Sequence, residues 1–136
     1  MACVFCKIVE GTVPSLRVLE NEHVLAFLDI NPLAPGHLLV IPKRHFERLD
    51  QMPEELTAEI ARMLPKLGRA VATAAGAMGY NLLQNNGACA GQVVEHVHFH
   101  LIPRVPGDGL GYRWPAGKYP PGKDQEMLGK MTAALR

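Results

Sequence analysis

The chain has 136 residues, enough for a single domain built around one core. Apolar residues make up 48% of it, and 14 basic against 13 acidic side chains leave a net charge of +1. That composition excludes a disordered polymer and gives no electrostatic footprint for nucleic acid, so any phosphate ligand has to be held by a few placed groups.

The N-terminal stretch "MACVFCKIVEG" lacks the basic region and long apolar run of a signal peptide. No segment approaches the roughly 18 apolar residues of a membrane span. An odd count of three cysteines without a secretion signal argues against a disulfide framework and makes the cytoplasm the expected setting. Neither a membrane nor a nucleic acid is expected as a partner.

In chain order, "FCKIVEG" reads as a short turn of helix or a loop. "LRVLE" and "HVLAFLD" read as two strands joined by a tight turn at Glu20, Asn21 and Glu22, and "HLLVIP" as a buried strand after the loop "NPLAPG". From Pro53 to about Ala75, Leu56, Ile60, Met63, Leu64, Leu67, Val71 and Ala74 recur at helical spacing. Pro53 is tolerated in the first turn, and Glu54 and Glu55 suit the positive helix end. Pro65 is expected to kink the helix or break it in two, and Gly76 and Gly79 to end it.

"YNLLQN" and "HVHFHLIP" supply two more strands across the loop "NGACAGQ". The predicted class is α+β: a mainly antiparallel five-stranded sheet, one long helix and a short N-terminal helix. One domain is expected over residues 1–104, with 105–136 as a C-terminal extension packed on the domain or on a dimer partner. Its first part, to Gly122, is rich in Gly and Pro and reads as irregular chain.

Half of the six histidines lie in "EHVHFHLIPR". In a strand, His96, His98 and His100 share one face and Val97, Phe99 and Leu101 the other. At about 3.3 Å per residue, neighbouring histidines stand roughly 6–7 Å apart and the outer pair about 13 Å. Two neighbours can share one metal ion; three on a straight strand cannot easily do so, and the three are expected to have different jobs. Metal binding and phosphate chemistry both remain open at this point. A neutral imidazole is a nucleophile near pH 7, provided an acceptor holds the proton on its other nitrogen. "CVFC" adds Cys3 and Cys6 at a zinc-knuckle spacing, without the preceding strand expected of a thioredoxin-like redox pair.

"HVHFHLIPR" resembles the alternating histidine–apolar signature of the histidine triad superfamily. "CVFCKIVEGTVPS", "AFLDINPLAPGHLLVIPKRH" and "YNLLQNNGACAGQVVEHVHFH" also resemble family segments, in the same order and at similar spacing, over about residues 3 to 104. The branch it resembles most is that of the small nucleotide hydrolases in their zinc-containing bacterial form.

The resemblance implies that His98 attacks the α-phosphate of a nucleotide and that water releases a nucleoside monophosphate from the nucleotidyl-histidine. His100 resembles the residue whose backbone carbonyl orients that nucleophile, with its ring and that of His37 facing the phosphates. Asn85 matches an asparagine near the α-phosphate, Gly91 and Gln92 a phosphate-approaching loop, and Asp29 the carboxylate that accepts the ribose hydroxyls. Phe5, Ile8, Phe27 and Ile30 match base-pocket walls, though ordinary core packing would use them as well. Val93 departs from the pattern, which usually has a serine or threonine there to help the leaving group.

The resemblance also adds His45 and His96 to Cys3 and Cys6 as ligands of a structural zinc, a complete tetrahedral set. Cys89 is left without a role. A homodimer is implied, and "YRWPAGKYPPG", with Trp114, loosely resembles a segment that reaches the neighbour's site. The expected substrates are purine nucleoside phosphoramidates or dinucleoside polyphosphates. The alternatives are a nucleotide-binding dimeric module or scaffold with incidental hydrolysis, and a nucleotidyl transferase.

Overall fold

The computed structural model describes residues 3–111 and 114–136. Tyr112 and Arg113, part of the segment expected to reach a neighbouring subunit, lie outside the described residues. A short helix α1 (Val4–Glu10) opens the chain, capped by the Cys3 side chain and closed by Gly11 at φ 85°, the left-handed conformation a glycine adopts without strain. Strands β1 (Arg17–Glu20), β2 (Val24–Leu28) and β3 (Leu38–Pro42) follow, then the long helix α2 (Glu54–Ala75), β4 (Gly79–Gln84), β5 (Phe99–Arg104) and α3 (Lys123–Ala134).

The five strands form one antiparallel sheet in the order β1-β2-β3-β5-β4. Its centre is buried on both faces, which is why β2 and β3 read as unbroken apolar runs. On one face Val24, Ala26, Leu38, Val40 and Leu101 pack against Ile60, Met63, Leu67 and Val71 of α2. On the other, Leu25, Phe27, Leu39 and Ile41 pack against Phe5 and Ile8 of α1. Each such side chain contributes roughly 1.5–3 kcal/mol when fully buried. No helix among the described residues is long and apolar enough to cross a membrane.

Three expectations change. Helix α2 runs unbroken through Pro65, which is exposed, so water can satisfy the carbonyl that loses its hydrogen bond. Gly76 alone caps that helix, at φ 61°, while Gly79 opens β4. The C-terminal extension carries a third helix, α3, beyond the one long and one short helix that the sequence predicts. All its residues are exposed, Met127, Leu128 and Met131 among them.

Candidate functional site

The triad does not lie on one strand. β5 begins at Phe99, and His96 and His98 precede it in an irregular segment. Only His100 is fixed by the sheet ladder, opposite Leu39 on one side and Leu83 on the other. His96 and His98 are nevertheless buried, at 0% and 6% exposure.

His96 faces Cys3, Cys6 and His45. Its Nδ1 lies 3.4 Å from Cys3 Sγ, 3.7 Å from Cys6 Sγ and 3.2 Å from His45 Nδ1; Cys6 Sγ is 3.4 Å from His45 Nδ1. Around a tetrahedral zinc with bonds of about 2.0–2.3 Å, ligand atoms stand about 3.3–3.8 Å apart. The ring settles the tautomer as well. His96 Nε2 lies 2.8 Å from the Pro42 carbonyl, which only accepts, so Nε2 donates and Nδ1 keeps its lone pair. Burial pushes His96 down to about 4, so the ring is neutral and able to ligate. Burial first, then the neighbouring Cys3 thiol, pushes Cys6 up to about 11; a cation among these groups reverses that penalty. The donor set therefore fits zinc, with the outer hydrogen bond that ligating histidines usually make.

His98 is set differently. Its Nδ1 donates to the His96 carbonyl at 2.7 Å, which leaves a lone pair on Nε2. The orienting carbonyl is thus that of His96, and the expectation that His100 supplies it is wrong. The reason is the irregular segment, which folds the His98 ring back on the residue two positions before it. Burial lowers the His98 pKa and keeps the ring neutral.

His100 and His37 form a third arrangement. The Leu33 N–H donates to His37 Nδ1 at 3.1 Å, and His37 Nε2 lies 2.9 Å from His100 Nδ1. With its Nδ1 already accepting, neutral His37 carries its proton on Nε2 and donates it to His100. His100 then keeps its own proton on Nε2. Asp29 Oδ2 stands 3.7 Å from His37 Nε2. Asp29, His37 and His100 could be grouped around a metal by distance alone. Yet His37 has no lone pair to give on the required nitrogen, and the group is better suited to donate protons to an anion.

These residues line a cleft of about 660 Å³. Across the sheet floor, Phe27 pairs with Leu39, Leu39 with His100 and His100 with Leu83, and all four line the cleft. Phe5, Ile8 and Phe27 form its buried apolar end, while Ile30 sits on the rim at 80% exposure. His37, His98, His100, Asp29 and Asn85 bring the polar groups. Among the described residues no lysine or arginine lines it.

Gly91 lines the cleft at φ 94°, beside Asn85, whose Nδ2 lies 3.5 Å from the Gly91 carbonyl. Gln92 is not among the residues that line the cleft, and its backbone N–H donates to the Gly87 carbonyl at 3.1 Å. Its side chain accepts from Gly87 N–H at 2.7 Å and donates to the Glu47 and Val94 carbonyls, so it braces the loop from inside. Val93 follows at 89% exposure on the cleft wall and offers no donor. Sequence reasoning missed the Pro42 carbonyl and the Leu33 N–H, since backbone groups leave no signature in side-chain identity.

A family model described as the HIT domain matches residues 10–107. The adenosine 5'-monophosphoramidase of Schizosaccharomyces pombe is 46% identical over 117 residues, covering 85% of each chain. A crystal structure of a HIT family protein from Bacillus subtilis superposes with a TM-score of 0.93 at 42% identity, over 100% of this chain and 99% of that one. A zinc-bound histidine triad family protein from Mycobacterium smegmatis gives a TM-score of 0.76 at 37% identity, with 98% of each chain covered. The fold agrees with these structures over nearly the whole chain, and the chain belongs to the HIT domain family.

Proposed function

We propose that this protein hydrolyses nucleotides at the α-phosphate, with purine nucleoside phosphoramidates as substrates and His98 as the nucleophile. The observation that carries the reading is the His98 ring itself. It is buried, neutral and held through Nδ1 by the His96 carbonyl, with the Nε2 lone pair left for attack.

His98 Nε2 forms a bond to phosphorus as the P–N bond breaks. The departing nitrogen takes up one proton, and hydrolysis of the nucleotidyl-histidine returns it with the nucleoside monophosphate. The Nε2–H of His100, oriented by the His37 N–H that its Nδ1 accepts, stabilises charge on the phosphate oxygens. Phe5, Ile8 and Phe27 hold the base, and Asp29, on the same wall, accepts the ribose hydroxyls. The name of the Schizosaccharomyces pombe relative supports a phosphoramidate. So does the cleft: a polyphosphate leaving group brings several further negative charges, and among the described residues no lysine or arginine of the lining meets them.

Cys3, Cys6, His45 and His96 hold a structural zinc in this proposal. It supplies a closed four-ligand crosslink with no open position for substrate. The protein works as a homodimer, a reading supported by the exposed apolar residues of α3 and by Tyr80 and Leu82 on the edge strand β4.

A nucleotide-binding module with incidental hydrolysis is the second reading, favoured by the apolar Val93 on the cleft wall. The deciding measurement is AMP release from adenosine 5'-phosphoramidate by wild type and by His98→Ala. Release by wild type that disappears in the variant is the expected result. Tight AMP binding without release from either protein would hand the case to the binding module.

A further inference from the structure

We infer that His96 joins the metal centre and the nucleophile into one mechanical unit, so that filling the Cys3–Cys6–His45–His96 centre positions the His98 ring. The inference rests on the reading of His98 and of the zinc centre given above, and concerns how the one depends on the other.

The first observation is the distribution of bonds on one residue. His96 Nδ1 faces the thiols and His45, Nε2 donates to the Pro42 carbonyl at 2.8 Å, and the backbone carbonyl accepts from His98 Nδ1 at 2.7 Å. The backbone N–H is also taken, by the Val94 carbonyl at 2.9 Å. Three polar groups of His96 are thus tied to backbone partners, and the fourth, Nδ1, meets only the other candidate ligands.

The second is what the segment lacks. β5 starts at Phe99, so no sheet ladder sets the position of residues 96–98. Their principal backbone tie is Val97 N–H to the Phe46 carbonyl at 2.7 Å, and Phe46 adjoins the candidate ligand His45. The segment that carries the nucleophile and the segment after β3 are therefore tied twice, once by that bond and once by the ligands they share. Without metal, the second tie consists only of thiols and imidazoles facing one another.

A third route runs through α1. Phe5 stands between Cys3 and Cys6, and its ring meets the rings of both His96 and His98 edge-on, at 5.8 and 5.1 Å between centroids. Anchoring the two thiols holds that ring against the nucleophile. His96 is accordingly a positioning residue, and the metal acts on the reaction through orientation alone.

The test uses His45, which is exposed and does not line the cleft. Wild type, His45→Ala and His45→Cys are compared for zinc content, thermal unfolding, AMP affinity, turnover and the imidazole N–H proton resonance of His98. That resonance is assigned by its loss in His98→Ala. The wild type and His45→Cys are expected to hold zinc and show the resonance. In His45→Ala zinc and resonance are lost together, and turnover falls by about 10- to 100-fold while AMP affinity changes far less. A folded, zinc-free His45→Ala that keeps the resonance overturns the inference, as does a wild type that takes up no zinc. Should His45→Ala fail to fold, stepwise chelation of the wild type gives the same comparison. If wild type released no AMP at all, the hydrolase reading would fall, while zinc content and the resonance would still decide the coupling.

Discussion

Among the described residues, two groups of side chains each bring two histidines together with thiols or a carboxylate within 4.8 Å of one another, and only one of them has a donor set that fits a metal. Around His96 the outer ring nitrogen donates to a carbonyl, and the inner one is free to ligate. Around His37 a backbone N–H occupies Nδ1, and the nitrogen facing its neighbours must carry the proton. Both groups hold a pair of histidines at similar distances. The hydrogen bond on the far side of the ring separates them, turning one histidine into a ligand and the other into a donor.

The largest effect that sharpens this contrast is His98→Ala, which is expected to lower turnover by about 10³-fold or more while leaving zinc content unchanged, since it removes the nucleophile and no ligand. Steady-state kinetics beside metal analysis checks both halves. Next is Cys6→Ser, expected to lose the zinc and, with metal at a hundred to a thousand times its dissociation constant, about 3–4 kcal/mol of stability, measured by denaturant unfolding with and without chelator. A Cys6→Ser protein that holds zinc as firmly as wild type would mean that the grouping around His96 had been misjudged.

His37→Gln breaks the relay to His100. Turnover is expected to fall by roughly 10- to 100-fold with zinc content intact; loss of zinc in this variant would erase the distinction between the two groups.

The smallest effect is in pH. Burial, with the neighbouring His98 and His37, pushes His100 down to about 4, and burial lowers His37 as well. Below pH 6.5 the unfolded chain binds protons on these rings that the folded chain does not, for His100 down to about 4, so stability falls as the medium is acidified through that range. The slope is at most about 1.4 kcal/mol per pH unit for each ring. Denaturant midpoints of metal-free protein across that range would measure it, and a slope of opposite sign would show that the relay is charged in the folded state.

Much of this organisation is legible in the sequence, for identifiable reasons. β2 and β3 announce themselves because both faces are buried, and α2 because its apolar stripe packs on the sheet. The four candidate zinc ligands and the cleft residues His37, His98, His100, Asp29 and Asn85 also converge as expected. The errors fall where local pattern and tertiary context part. Alternating residues suggested that the strand began at His96, but the chain bends there to satisfy two other groups. The resemblance places Gln92 in a phosphate-approaching loop, and only the fold reveals that its backbone N–H and its side-chain amide are both spent inside that loop. Pro65 breaks a helix in principle, yet its orphaned carbonyl faces solvent.

The absence of lysine and arginine from the cleft lining among the described residues has a kinetic side. With a net charge of +1 and Asp29 as the one charged group on its walls among the described residues, the protein projects little attraction into solution. Nucleotides would meet it by unaided diffusion, at association rates of about 10⁵–10⁷ M⁻¹s⁻¹ that barely respond to added salt. Selectivity in such a site comes from how long a ligand stays rather than how fast it arrives, and crowding by other cellular anions would slow it little.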